Sequence, residues 1–234
     1  MKRLVMLAAC LALMPQPAFA QGALDREIAE LTQRVERLEG GRAVKKLQRA
    51  FGFYVDRGLW RQAADLFAED GSIEIGLDGV YVGPDRIEEY LRRLHGGQEG
   101  LIYGQLNEWI TLQPAILVAE DGESATARWR DQGMLGQYNE HAEWRDGVYE
   151  NTYVKEDGVW KIRSLHLFVN FVAPFEDGWA RLQPGEGLAR SQTSIDFPPD
   201  RGSTVNYEPF PAVQIPTFQA SNPVTGRAVQ GDMR

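Results

Sequence analysis

His166 sits in an aromatic run, SLHLFVN, that an aspartate-glycine pair at 157–158 separates from a second run, GVYENTYVKE. Val148–Lys155 and Val159–Val172 flanking Asp157-Gly158 predict an antiparallel hairpin. With a two-residue turn, Lys155 pairs with Trp160, Tyr153 with Ile162, Asn151 with Ser164 and Tyr149 with His166. Side chains alternate faces along a strand. Lys161 and Arg163 belong in water, so Trp160 and Ile162 turn inward. Tyr149, Asn151, Tyr153, Ser164, His166, Phe168 and Asn170 then share the inward face, unless a bulge reverses the count. Aromatic walls with a few convergent polar groups suit a small-molecule pocket. An imidazole there can take or give a proton near pH 7. The alternative is a buried neutral His166 bonded to Asn151 or Tyr149.

Asp56 is the second candidate. It follows Tyr54 by two residues at the end of a helical pattern. A carboxylate desolvated by aromatic neighbours has a raised pKa and becomes a usable base. An Asp in solvent, paired with Arg57 or Arg61, is the alternative. Tyr103 and Asn107 on one strand, with Tyr149, could donate hydrogen bonds to an oxygen gaining charge; each taken singly also reads as core packing. His141 and Glu143 form His-x-Glu in a polar loop, NEHAEWRDG, too few ligands to define a metal site and better read as a solvated loop. Arg128 and Arg130 share a strand face and could clamp a carboxylate or face water. His95 ends a helix, where a cation suits the dipole, and receives no further role. The sequence has no glycine-rich phosphate loop, serine nucleophile elbow or CxxC.

The elements that must position these residues are legible in turn. Leu24, Ile28, Leu31, Val35 and Leu38 are spaced 4, 3, 4, 3, with β-branched residues at a and leucine at d, a pattern suited to a parallel dimer. Gly40-Gly41 is expected to end this helix, and packing on its own domain is the other use of the stripe. Val44, Leu47, Phe51 and Tyr54 line one face of a second helical stretch, and Trp60, Ala63, Ala64 and Phe67 one face of a third. Short strands at Ser72–Ile75 and Val80–Val82 precede a helix opening at Gly83-Pro84-Asp85. Strands at Leu101–Leu112, Ala115–Val118 and Ala125–Arg130 lead to the hairpin. Helices followed by long antiparallel strands predict an α+β layer.

Composition narrows the function. The chain has 234 residues, net charge −8 and a single cysteine. The acidic balance argues against nucleic acid, and one cysteine excludes an intrachain disulfide. Lys2-Arg3, an apolar Leu4–Met14 run and Ala18-Phe19-Ala20 predict a signal peptide over residues 1–20, hence a periplasmic protein starting at Gln21. Eleven apolar residues are too few to span a bilayer, which takes about 20. Cys10 in Leu7-Ala8-Ala9-Cys10 offers lipidation as an alternative. The expected layout continues with a helix over 21–42, a domain over 43–172, and a tail over 173–234 that holds eight of the twelve prolines. Its aromatics suggest a tail that wraps the domain or a neighbouring subunit.

FGFYVDRGLWRQAADLFAEDGSIEI, GVYVGPDRIEEYL, ILVAEDGESATARWR and GVYENTYVKEDGVWKIRSLH together resemble the SnoaL-like branch of the nuclear transport factor 2-like superfamily, over about residues 43–172. The resemblance implies a strongly curved antiparallel sheet rolled into a cone around a pocket and closed by three helices. Relatives include scytalone dehydratase, ketosteroid isomerases, polyketide cyclases, epoxide hydrolases and a formaldehyde-releasing lignin-dimer lyase. The resemblance therefore implies a cofactor-independent lyase or dehydratase acting on a small hydrophobic, hydroxylated, aromatic substrate such as a lignin-derived diaryl compound. The alternatives are an isomerase or cyclase, and a non-catalytic exported binding protein; a homodimer or other homo-oligomer is implied. In dehydratase relatives an aspartate at the position of Asp56 faces the cavity and orients a histidine. The implied catalytic pair is His166 with Asp56, and the implied substrate contacts are Tyr54, Tyr103, Asn107, Tyr149, Asn151 and Phe168. The histidine pair that many members carry near IYGQLNEWITLQP is absent, a departure from the dehydratase pattern.

Overall fold

The computed structural model describes residues 18–184, 191–212 and 221–228. The expected leader up to Pro17, with Cys10, and the tail residues Pro216 and Phe218 lie outside the described residues. The fold is α+β, built on one curved, unclosed six-stranded sheet in the order β2-β1-β6-β5-β4-β3. The elements run α1 (Ala18–Asp56), α2 (Trp60–Ala64), β1 (Phe67–Ile75), β2 (Val80–Val82), α3 (Pro84–Leu94), β3 (Gln105–Val118), β4 (Ser124–Gln137), β5 (His141–Glu156) and β6 (Val159–Pro174). A short turn of 3-10 helix (Trp179–Arg181) and α4 (Gln192–Asp196) follow. The sheet is not wholly antiparallel, because β1 joins β6 in parallel.

The first helix does not stop at Gly40-Gly41; it continues to Asp56. Gly40 is buried, and a Cβ there would lie 3.0 Å from the Trp160 ring. Close approach to β6, rather than termination, explains this glycine, at a helix-propensity cost of about 1 kcal/mol. The heptad stripe does not pack on its own domain: Leu24, Ile28, Leu31, Val35 and Leu38 are 50–70% exposed. Further along α1, Val44, Phe51 and Val55 are fully buried against the sheet. In α3, Pro84 occupies the first turn, where its missing N–H costs nothing, and Ile87, Tyr90 and Leu91 are buried.

The largest departure from expectation is in β6. Lys155↔Trp160 and Tyr153↔Ile162 pair as the two-residue turn requires. The next rung is Thr152↔Ser164, so Arg163 is an extra, exposed residue, a β-bulge. Beyond it Tyr149 faces Leu167 and Val148 faces Phe168, correcting the expected Asn151–Ser164 and Tyr149–His166 pairs. Leu165, Leu167 and Val169 now join Tyr149, Asn151 and Tyr153 inside, and His166 and Phe168 turn to the opposite face. A second bulge at Asn170 returns Val172 to the inner side. The expected polar loop at His141 and Glu143 is also strand: only Tyr138–Glu140 turns, with Asn139 at φ 62°.

Tail residues 191–212 contact the domain's own β1, β2, β6 and α3. Thr204 donates its N–H (2.8 Å) and hydroxyl (2.6 Å) to the buried Glu74 carboxylate. Ser191 does the same to Asp78, which also accepts from Tyr90 (2.8 Å). Arg201 bridges to Val80, Asp200 accepts from Val82 N–H, and the Tyr207 hydroxyl donates to the Val169 carbonyl. Each clamp satisfies groups whose burial would otherwise cost about 1–3 kcal/mol.

Candidate functional site

A cavity of about 770 Å³ lies between the C-terminal end of α3 and the sheet. Leu94, His95, Ile102, Leu106, Trp109, Leu135, Val169 and Val172 supply its apolar lining, and Asn107, Arg145, Glu143 and His141 polar groups. Its volume and mixed lining suit a small molecule.

Three side chains that support one another build the floor and what lies directly behind it. Trp109, on the edge strand β3, donates its indole N–H to Asn107 Oδ1 (3.0 Å), and Asn107 Nδ2 donates to the Val55 carbonyl (2.8 Å), tying the strand to the end of α1. That tie brings Asp56 alongside: its Oδ1 accepts the Trp109 backbone N–H at 2.6 Å. No other hydrogen bond reaches the Asp56 carboxylate among the described residues. Desolvation by burial raises its pKa; the Trp109 bond, Arg57 and Arg145 oppose that, and Glu108 reinforces it. Asp56 stands beside lining residues without being one itself.

Arg145 and Asp131 form a buried ion pair, 5% and 0% exposed. Arg145 Nε reaches Asp131 Oδ2 at 2.7 Å and Nη2 reaches Oδ1 at 3.1 Å, a bidentate fork. The guanidinium lies over the Trp109 ring, 3.8 Å from its centroid. Its neighbour across the ladder is Gly133, where a Cβ would lie 3.2 Å from the Arg145 side chain, so a larger residue there would press on the arginine. Tyr149, fully buried beside this pair, sets its hydroxyl close to Asp131 without the geometry of a full hydrogen bond; burial first, then the Asp131 carboxylate, push its pKa well up.

His95 lines the cavity between two indoles, 4.8 Å from Trp60 and 5.4 Å from Trp109 by ring centroid. Its Nδ1 lies 2.8 Å from the Leu91 carbonyl, an acceptor only, which assigns the proton to Nδ1 and the lone pair to Nε2. Burial lowers its pKa to about 4, so it is neutral near pH 7.

The expected residues divide. Asp56 and Asn107 come together around Trp109, which the sequence reading did not single out; Asn107 lines the cavity floor and Asp56 stands just behind it. His166 does not join them: it lies on the opposite sheet face, Nδ1 3.5 Å from Glu74 Oε2, stacked on Phe168 at 3.7 Å, with Nε2 buried and unpartnered. The bulge at Arg163 is the physical cause. Phe168 leaves the cavity with it and packs edge-on to Tyr207 of the tail. Tyr103 is 91% exposed. Asn151 is buried away from the cavity, donating to Gln48 and Tyr153 and accepting from His166 N–H. Tyr54 is half-buried against the core. Arg128 and Arg130 pair with Glu150 and Asp146, both at 2.7 Å. Sequence reasoning missed Arg145, Asp131 and His95. The usable signal was an arginine and an aspartate at what prove to be inward strand positions, each opposite a glycine.

Two expected outcomes follow directly. Tyr103→Ala leaves stability within about 0.5 kcal/mol of the parent, read by urea unfolding, because only the Tyr103 backbone carbonyl is engaged, by Gln137. His166 carries an acid penalty. Burial lowers its folded pKa to about 4, below the unfolded value near 6.5. Above pH 6.5 both states are neutral and nothing changes. Below it the unfolded chain gains a proton that the folded chain refuses, so stability falls as pH drops from 6.5 towards 4. Between pH 7 and pH 5 the parent loses about 2 kcal/mol more than His166→Phe, a difference urea titrations at the two pH values measure.

A family model for the SnoaL-like domain matches residues 36–166. No curated protein matches the chain. Among solved structures, a scytalone dehydratase candidate from Novosphingobium aromaticivorans is 18% identical, with a TM-score of 0.53 over 68% of this chain and 99% of that one. A type 2 hexachlorocyclohexane dehydrochlorinase, LinA, is 18% identical, TM-score 0.52, over 61% and 93%. A LinA type 3 from Novosphingobium barchaimii is 17% identical, TM-score 0.51, over 61% and 94%. At these identities the structural likeness establishes the fold.

Proposed function

The chain belongs to the SnoaL-like domain family, and on that premise we propose that it is a cofactor-free lyase eliminating a small leaving group from a hydroxylated aromatic molecule held in the cavity. The observation that carries this reading is the Asp56 carboxylate: one oxygen pinned by Trp109 N–H, the other without a protein partner, in a setting that raises its pKa. Such a group is a usable general base. The similar solved structures include proteins named for dehydration and dehydrochlorination, which are eliminations. In the proposed reaction Asp56 takes a proton from carbon. The C–H electron pair moves through the adjacent carbonyl or ring onto its oxygen, and its return forms the C=C bond as the neighbouring C–O bond breaks with its pair on the departing oxygen. The departing hydroxide then takes the proton from Asp56 and leaves as water. Neutral His95, with its Nε2 lone pair, accepts from the substrate hydroxyl and orients it. His166, on the far face, takes no part.

The test is a panel of aryl β-hydroxy ketones and hydroxylated diaryl compounds, followed by conjugated-product absorbance and mass. Loss of water from a panel member supports the reading. Binding of several members by calorimetry with no turnover overturns it in favour of a ligand-binding protein. The chain is further proposed to be exported, which a mature N-terminus at Gln21 would support. Two copies are proposed to pair through the heptad stripe, whose a and d positions complement themselves. Ile28→Glu with Val35→Glu in the full chain should halve the mass by light scattering; an unchanged mass overturns the pairing.

A further inference from the structure

Arg145 has more hydrogen-bonding capacity than its protein partners use. Its Nε and Nη2 serve Asp131. Its Nη1 has no acceptor among the described residues, although the side chain is only 5% exposed and lines the cavity. Guanidinium cannot shed its charge, so this donor stays available to whatever occupies the cavity. Trp109 below and Asp131 behind hold the plane, so Nη1 cannot swing to another partner. The site is thus a donor held in place at the cavity wall before any ligand arrives, an arrangement that stabilises a charge formed on a ligand oxygen.

The charges around it decide which ligand form it selects. Arg145 and Asp131 cancel, and Asp56, whose charge both Arg145 and Tyr149 sense, adds one negative charge when ionised. An anion entering beside ionised Asp56 meets repulsion; an anion entering beside protonated Asp56 does not. We propose that Arg145 Nη1 is the subsite for a substrate oxygen that carries negative charge, a phenolate or enolate, and that this oxygen binds together with a proton on Asp56. The proposal deepens the lyase reading and rests on it for its catalytic meaning. The state it favours, charge on the substrate oxygen and proton on Asp56, is the one that follows proton abstraction.

4-Nitrophenol tests this, because its phenolate and phenol absorb at different wavelengths and it has no leaving group to eliminate. The full chain at pH 6, where the free probe is mostly neutral phenol, should bind it with the phenolate spectrum. Asp56→Asn, neutral like protonated Asp56, should keep the phenolate spectrum, and its affinity should rise with pH below 7, because the probe's proton must then go to solvent; a variant that loses the phenolate spectrum overturns the proposal. Arg145→Met with Asp131→Leu replaces the pair by apolar groups of similar size, a change that is often tolerated; near-UV circular dichroism checks its fold. Arg145→Gln with Asp131→Asn is the polar counterpart should the first not fold. Either should return the bound spectrum to that of the phenol and lower affinity about tenfold or more. A phenol spectrum in the parent, no binding by the parent, or an unchanged phenolate spectrum in a folded double variant overturns the proposal. The spectrum is independent of turnover. A positive spectrum with an inert substrate panel sinks the lyase reading alone; turnover without the phenolate signature sinks the Arg145 subsite alone.

Discussion

Asp56→Asn should lower turnover by about 10²–10⁴-fold, the range of a positioned general base, with little change in stability. The amide oxygen of the substituted side chain can still accept the Trp109 N–H that Asp56 Oδ1 accepts now. What disappears is basicity at the second oxygen. The loss should fall on kcat and on kcat/KM together, because a base acts in the transition state and does not grip the ground state. In the parent, kcat/KM should rise with pH through the raised pKa of Asp56, since the ionised form is the active one. The variant should lose that limb. A full-rate Asp56→Asn, or a pH profile unchanged by it, would falsify the assignment. Such a result would move the assignment to the other bases of the lining, neutral His95, His141 and Glu143.

The second large effect is on folding. Asp131→Ala strips the counter-charge from an arginine that is 5% exposed, and removing one partner of a buried pair costs about 3–5 kcal/mol. The neighbours offer no replacement: Tyr149 is a donor with a pKa pushed well up, and Trp109 presents only its ring face. Replacing the pair together, as Arg145→Met with Asp131→Leu, should come within about 1–2 kcal/mol of the parent, because both desolvation penalties vanish along with the attraction. Urea unfolding followed by fluorescence gives both numbers. If Asp131→Ala unfolds at the parent's midpoint, the pair is solvated in solution and its role in positioning Nη1 falls with it. The comparison also separates stability from chemistry, since the double variant should fold while losing the phenolate signature.

The sequence carried the elements well where period and punctuation agreed. The aspartate-glycine turn and its first two rungs, the helix opening at Pro84, and the apolar face from Val44 to Tyr54 were all readable. It failed where one residue changes a count. Arg163 looks like an ordinary outward residue of an alternating strand, and only tertiary packing reveals that it is skipped. That skip moved His166 and Phe168 from the expected pocket to the opposite face. Gly40-Gly41 reads as a stop by local propensity, yet contact with Trp160 overrides it. Asp56 was legible because a helix end fixes it locally. Arg145 was not, because its meaning depends on Asp131 across the ladder and Gly133 beside it, and neither neighbour is near it in sequence.

Trp109 gives the cavity an optical property. Its indole is in contact with the Arg145 cation on one face, lies near His95, and is fixed through Asn107. A molecule entering the cavity changes the field and the collisional environment of this one chromophore directly. Occupancy should therefore be readable as a shift in the protein's own ultraviolet emission, with Trp109→Phe as the silent control. A search for what this chain binds can then proceed without a label and without first finding a reaction.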